Sequence, residues 1–597
     1  MRKSIVFLIV GMLIFSGFGA VAFSTNKKLD NTEEFKKISF SVSFSYPELN
    51  DVGDFVKVDI KEANTYLIYP GTPMLPCYSV VKSFSLGTKI VDVRCTTSEP
   101  LEIKLSKKVF VNSQPQWLTT GFLMKKSEVN LPLYKSEGSY PNAWYSYSTG
   151  GGIEKGEHVT FLSFHFNPVR CFSDGETLQY VDHMEVEVTY EEPPSLMVSS
   201  DEYSLIVIAP SVFSKYLQPL VSHKNECNLS TKLVTLNEIY SGEYFPIEGR
   251  DDAEKIKYFI KDAVEQWGTI YVLLVGSVDK LPIRKTWIGD EMSLITDLYY
   301  ADLFFSDGSF CSWDSNNNGL YGEFSHNGCN DLVDLYPDVY VGRLPCRYVF
   351  DVKTVVDKII NYEKTASQGD WFNNLILCGG DTFPGWGVYE GEVTNNYVAE
   401  SMSDFNHVKL WTSDDSFNRD TINNAINTGA GFLEYSGHGY QNGFGTYPPN
   451  GNERIEYFTR DLFGLSNGYR LPIMFFDACL TGEVDCTIGE LLGLDFIRIP
   501  FPNFAWSVVR LRGGGAIASV GSTRVAYTNV DEDGPHAGAG YLALHFFKSY
   551  YKGVGLGEML VGAKNDYLNN VYKDPFTVEE FILLGDPSLR VGGFYEK

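Results

Sequence analysis

An α/β fold with a mostly parallel sheet flanked by helices, preceded by an all-β domain, is what this sequence predicts, on three observations. Ser204–Ile208, Ile270–Val275, Gly431–Tyr435 and Leu471–Phe476 are largely apolar runs of strand length, the mark of strands covered on both faces. Between them lie amphipathic helices. Ile256, Phe259, Ile260, Ala263, Val264 and Trp267 recur at helical spacing, with Asp251 or Asp252 as cap and Gly268 as stop, and Val352, Val355, Val356, Ile359 and Ile360 form a second apolar stripe. Strand, helix, strand at this spacing implies a right-handed parallel crossover. Before residue 192 the pattern differs: Met184–Tyr190 and Leu101–Leu105 alternate apolar and polar with period two, which predicts a β-sandwich.

The 597 residues exceed what one core supports and divide in order. Arg2 and Lys3, the apolar run Ile5–Phe18 and the small residues Ala20-Val21-Ala22 form a secretory signal peptide over 1–22. A β-rich domain follows over 23–192, then a Pro- and Ser-marked linker over 193–202, an α/β subdomain over 203–369 and a second α/β subdomain over 370–597. No later stretch is apolar enough to span a membrane once the signal is removed, so the expected location is secreted or cell-surface. The net charge of −26 excludes partners that need clustered Lys and Arg, nucleic acid above all. Ten cysteines are too few for a disulfide scaffold; Cys77 with Cys95 and Cys311 with Cys329 are near enough in sequence to be candidate pairs. The absence of any CxxC pair argues against zinc.

Two strand ends carry chemistry. Gly431–Tyr435 breaks into Ser436-Gly437-His438-Gly439, and Leu471–Phe476 ends in Asp477-Ala478-Cys479. If these strands are parallel neighbours, an imidazole and a thiol emerge in one crevice at the carboxyl end of the sheet, where open α/β sheets bind ligands. An adjacent imidazole favours the thiolate and supplies the proton that a leaving amine needs. Backbone N–H groups of Gly439 and Cys479 can approach a developing oxyanion, because glycine puts no side chain in the way.

With His-Gly and Ala-Cys at two strand ends, forty-one positions apart (479 − 438), the sequence resembles the caspase-like cysteine peptidases, and Asp477-Ala478-Cys479-Leu480-Thr481-Gly482 is most similar to their gingipain branch. Tyr271–Gly276, Asp297–Asp302, Val341–Pro345, Gly514–Ala518 and Leu584–Leu589 also look like blocks of that family, over roughly residues 203 to 595. The resemblance implies a caspase-like catalytic domain acting on protein or peptide substrates, with Cys479 as nucleophile and His438 as acid and base. It implies an acidic partner of the imidazole from the loop after Asn374–Cys378; Asp381 is the choice, with Glu390 and Glu392 nearby. The turn Pro70–Pro76 resembles a block of gingipain-type propeptides, which makes the β-rich domain a shield over the site. No organic cofactor is implied, and the oligomeric state is left open.

Other motifs lead elsewhere. Asp314, Asn316, Asn318, the Leu320 carbonyl and Glu323 offer alternating oxygens around Gly319, a candidate structural Ca²⁺ loop, although Glu323 falls two positions short of the EF-hand register. An Asx-rich surface turn gives the same pattern. Gly464-Leu465-Ser466-Asn467-Gly468 matches GxSxG but precedes a strand, so it is read as a turn. In the family, residues after the strand Gly513–Val520 line the pocket for the residue before the scissile bond, which places Thr523 and Arg524 there. No Lys or Arg lies between Arg170 and Lys215, so self-cleavage after a basic residue at the linker is excluded; Asp201-Glu202 with Arg524 suggests an acidic preference instead. The competing class is a catalytically silent, calcium-stabilised surface protein using the β domain for adhesion or binding.

Overall fold

The structure, a computed structural model, describes residues 35–69, 71–112, 116–118, 138–193, 202–289, 292–494, 498–571 and 574–594. The signal peptide and nearly all of the linker lie outside the described residues.

One ten-stranded sheet organises the chain after residue 203. Its strands, in chain order, are β1 (Leu205–Ala209), β2 (Thr231–Thr235), β3 (Tyr271–Val275), β4 (Tyr340–Leu344), β5 (Asn374–Gly379), β6 (Asn406–Trp411), β7 (Phe432–Ser436), β8 (Ile473–Asp477), β9 (Ala518–Ser522) and β10 (Phe581–Leu584). Their spatial order is β2-β1-β3-β4-β10-β9-β8-β7-β5-β6. Every neighbouring pair is parallel except β9 with β10, so the sheet consists of two parallel halves running in opposite directions. The apolar runs become strands because both faces are covered: β1, β3, β7 and β8 are buried along their whole length.

The helix Asp252–Trp267 starts where expected, with the Asp251 side chain accepting from the Glu254 N–H, and stops at Gly268 in the left-handed region at φ 71°. The crossover from β1 is longer than its pattern suggested. The helix Ser214–Glu226, which contains Pro219, and the edge strand β2 intervene before that helix delivers β3. Pro219 and the polar positions of β2 blur both periodicities. The expected subdomains share one core, because Leu344, Phe372, Phe432, Ala518 and Leu584 belong to a single apolar cluster. Strand β10, near the C-terminus, completes the first half by pairing with β4.

The region 36–191 is all-β, as its alternation predicts. Small, mainly antiparallel sheets surround a core that includes Val58, Leu75, Phe164, Phe166, Leu178 and Val188. It docks through the strand Tyr145–Glu154, in which Gly150, Gly151 and Gly152 let backbone meet backbone: a Cβ at Gly151 would lie 2.7 Å from the Phe305 carbonyl carbon, and one at Gly150 2.3 Å from the Tyr336 ring. Ile153 N–H donates to the Pro337 carbonyl (2.8 Å) and Gly156 N–H to the Tyr340 hydroxyl (3.0 Å). All ten cysteines are free thiols, so Cys77 with Cys95 and Cys311 with Cys329 are not bridged.

Candidate active site

Strands β7 and β8 are parallel neighbours in the register Ser436 opposite Asp477, so the segments leaving their ends start side by side. Ser436 Oγ donates to Asp477 (2.7 Å), and the Gly437 N–H to the Asp477 carbonyl (3.1 Å). His438 then opens a short antiparallel hairpin, pairing with Gly445. Gly439 is needed for close approach: a Cβ there would lie 2.2 Å from the Cys479 carbonyl oxygen and 2.9 Å from its nitrogen. The backbones of the two candidate oxyanion donors, Gly439 and Cys479, are thus in contact.

Both reactive side chains are sealed. Cys479 has 0% and His438 5% of its surface exposed. The Ala526 N–H donates to Cys479 Sγ (3.1 Å), and the thiol donates back to the Ala526 carbonyl (3.3 Å). Burial, with the Glu580 carboxyl nearby, pushes the thiol pKa well up. Burial pushes that of His438 down. Both effects favour neutral groups, so this is a resting arrangement without a thiolate–imidazolium pair.

His438 is oriented by a carbonyl, which corrects the assignment of Asp381. Nε2 lies 2.9 Å from the Thr382 carbonyl oxygen. A carbonyl only accepts, so Nε2 carries the proton and Nδ1 keeps its lone pair; Nδ1 is buried without a hydrogen-bond partner of ordinary geometry. Phe383 and Tyr447 fix the ring edgewise, each 5.9 Å from its centroid. Asp381 accepts instead from the Asn450 N–H (3.1 Å), and its backbone bridges to Tyr447 in both directions. Glu390 opens the helix Glu390–Ser401 and accepts from the Thr382 and Phe383 N–H groups (3.2 Å each), clamping the loop whose carbonyl holds the imidazole. Burial pushes the Glu390 carboxyl up to about 8. Glu392 is bound to Ser413.

The cleft itself is occupied by the β-rich domain. Gln116 and Trp117 pair antiparallel with Thr528 and Tyr527, and the Leu118 N–H donates to the Ala526 carbonyl (2.9 Å). Leu118 is 1% exposed and shares an apolar cluster with Cys479, Ala478, Ala526 and Phe383. Its backbone lies close to both His438 and Cys479. Sequence reasoning did not single this segment out; its one local signal is an aromatic–aliphatic pair, Trp117-Leu118, just after Pro115.

The two assigned pocket residues are committed to the protein itself. Thr523 is buried and its hydroxyl donates to the Ile295 carbonyl (2.8 Å). Arg524 makes a bidentate pair with Asp485 (2.9 Å for each contact) and also bonds Ser293 and Thr523 carbonyls, so its charge is neutralised within the chain. The candidate calcium loop is likewise self-satisfied. Asp314 accepts from the Asn318 and Gly319 N–H groups and pairs with Arg250 (2.6 Å). Asn316 and Asn318 both donate side-chain N–H bonds to Glu323, and the Leu320 N–H donates to Asn318. Among the described residues no three His, Cys, Asp or Glu side chains cluster in a way that suits a metal. With Arg250 supplying the positive charge, this donor set does not fit a cation as arranged. Ser466 sits in the turn before β8, its N–H donating to Asn427 (2.6 Å), and is no nucleophile elbow.

Several known proteins are similar to this chain. Gingipain R2 of Porphyromonas gingivalis is 26% identical over 285 residues, covering 47% of this chain and 32% of that protein. Lys-gingipain of the same organism is 21% identical over 603 residues, covering 89% of this chain and 30% of its own. The chain therefore spans about a third of the length of these relatives. The crystal structure of the Arg-specific cysteine proteinase gingipain R aligns at a TM-score of 0.48 with 20% identity, covering 66% of this chain and 80% of that one. Residues 199–592, more than half of the chain, match the model of peptidase family C25, and the chain belongs to that family.

Proposed function

We propose that this chain is an exported cysteine endopeptidase, made as a proenzyme whose β-rich domain closes the active site. The observation that carries this reading is the meeting of three segments: His438 and Cys479 at adjacent strand ends, with the Leu118 backbone docked on Ala526, which itself bonds Cys479 Sγ. When that peptide leaves, water and substrate enter, and the desolvation that holds the thiol neutral is relieved. Nδ1 of His438 then takes the thiol proton and Cys479 Sγ attacks the peptide carbonyl. The resulting oxyanion is held by the Gly439 and Cys479 N–H groups. His438 returns its proton to the leaving amine and activates the water that releases the acyl group. Thr382, through its carbonyl, keeps the imidazole in the tautomer that can do this. Arg2, Lys3 and the following apolar run support export.

The test is reaction of the activated protein with a thiol-directed peptidyl probe, alongside hydrolysis of a protein substrate. Cys479→Ala should abolish both and leave the fold intact. Hydrolysis that survives the substitution would overturn the mechanism.

A further inference from the structure

Leu118 lies in the cleft as a substrate would. Its chain runs antiparallel to Ala526–Thr528, its N–H bonds the Ala526 carbonyl, and Ala526 in turn bonds Cys479 Sγ, so the Leu118 peptide is one hydrogen-bonded step from the thiol. The two sides of a β-strand alternate. Leu118 therefore points away from the side taken by Trp117, and its side chain is buried in the large apolar core of the sheet. Trp117 packs edgewise on Tyr527 and Phe576 (5.8 and 5.7 Å between centroids), in a small apolar group completed by Leu294 and Ile288.

Three charged groups close to Cys479 are already engaged. Arg524 is held by Asp485 and Glu483. Asp477 and Glu580, the carboxyls that act on Cys479, bond Ser436 and Ser522, and burial pushes both upward, Asp477 to about 7. Neither supplies a fixed negative charge for a basic substrate, and Arg524 supplies no free positive charge for an acidic one. Resting on the peptidase reading above, we propose that Leu118 occupies the pocket for the residue before the scissile bond, and that the enzyme cuts after a bulky aliphatic residue, with an aromatic side chain preferred one position earlier.

The experiment uses the full chain and four acyloxymethyl ketone probes ending in Gln-Trp-Leu, Gln-Trp-Arg, Gln-Trp-Lys and Gln-Trp-Asp, with iodoacetamide as a probe that needs no peptide recognition. Modification of Cys479 is followed by mass spectrometry in the native chain and in Leu118→Ala, which leaves the cleft less tightly closed. A buried charge without a partner is strongly rejected, so the Leu probe should react at least ~100-fold faster than the three charged ones. Replacing Trp by Ala in the Leu probe should slow it roughly tenfold. A basic or acidic probe reacting as fast as the Leu probe overturns the specificity and leaves the peptidase intact. If all four peptidyl probes are inert while iodoacetamide alkylates Cys479, even in a variant with Gln116, Trp117 and Leu118 all replaced by Gly, which no longer fills the cleft with side chains, the peptidase reading fails, and the specificity with it.

Discussion

Replacing Leu118 by Ala in the full chain tests whether one side chain seals the cleft. Leu118 is fully buried, and its N–H bonds the carbonyl of Ala526, the residue that bonds Cys479 Sγ. Truncating a buried Leu to Ala removes apolar contact and leaves a cavity, at a cost of about 2–3 kcal/mol where the site can partly collapse. The backbone pairing of Gln116 and Trp117 with Thr528 and Tyr527 does not depend on that side chain and should persist. The loss falls on docking of the segment, so the open state should become roughly 30 to 150 times more populated. Alkylation of Cys479 at limiting iodoacetamide reports that population when opening is fast and reagent is scarce. Cys329 is exposed and serves as an internal reference for reagent and general stability. The expected result is Cys479 modified 30 to 150 times faster, with Cys329 unchanged. An unchanged Cys479 rate would mean that Leu118 does not close the site and would refute the reasoning.

Gly439→Ala should cost at least tenfold in kcat/KM with the chain still folded, because the added carbon would press on the Cys479 backbone at 2.2 Å; wild-type kinetics would show that the two backbones do not need to touch. Glu390 gives a pH signature. Its carboxyl is raised from 4.5 to about 8 in the folded chain, so its contribution to stability is full below 4.5 and is lost as pH rises toward 8. In thermal melts across that window, Glu390→Gln should flatten part of the fall in Tm, and an unaltered slope would remove the claim. Asp477 and Glu483, raised to about 7, add losses of the same sign, so the flattening is partial. Dialysis against EGTA should leave Tm unchanged because Arg250 already neutralises Asp314, whereas a drop would restore calcium to the Asp314–Glu323 loop.

The strands that hold the site were legible in the sequence because their information is local. A run such as Ile473–Phe476 must be covered on both faces wherever it is placed, and His438 and Cys479 end up together once two such runs are neighbours. The cap at Asp251 and the stop at Gly268 were legible for the same reason. What the sequence did not decide is which distant groups meet across the fold. An acid placed after β5 invites the role of imidazole partner, yet the chain turns so that the Thr382 carbonyl arrives at His438 while Asp381 turns to Asn450. Arg524 reads as a free pocket charge until Asp485 is folded against it. Leu118 carries no catalytic signal in its own stretch; only docking through Gly150–Gly152, where the lack of side chains lets two backbones touch, delivers it to Cys479. The reversal between β9 and β10 is likewise invisible to periodicity, because an apolar run has the same pattern in either direction. It is tertiary packing that brings the last described strand, Phe581–Leu584, back to complete the first half of the sheet.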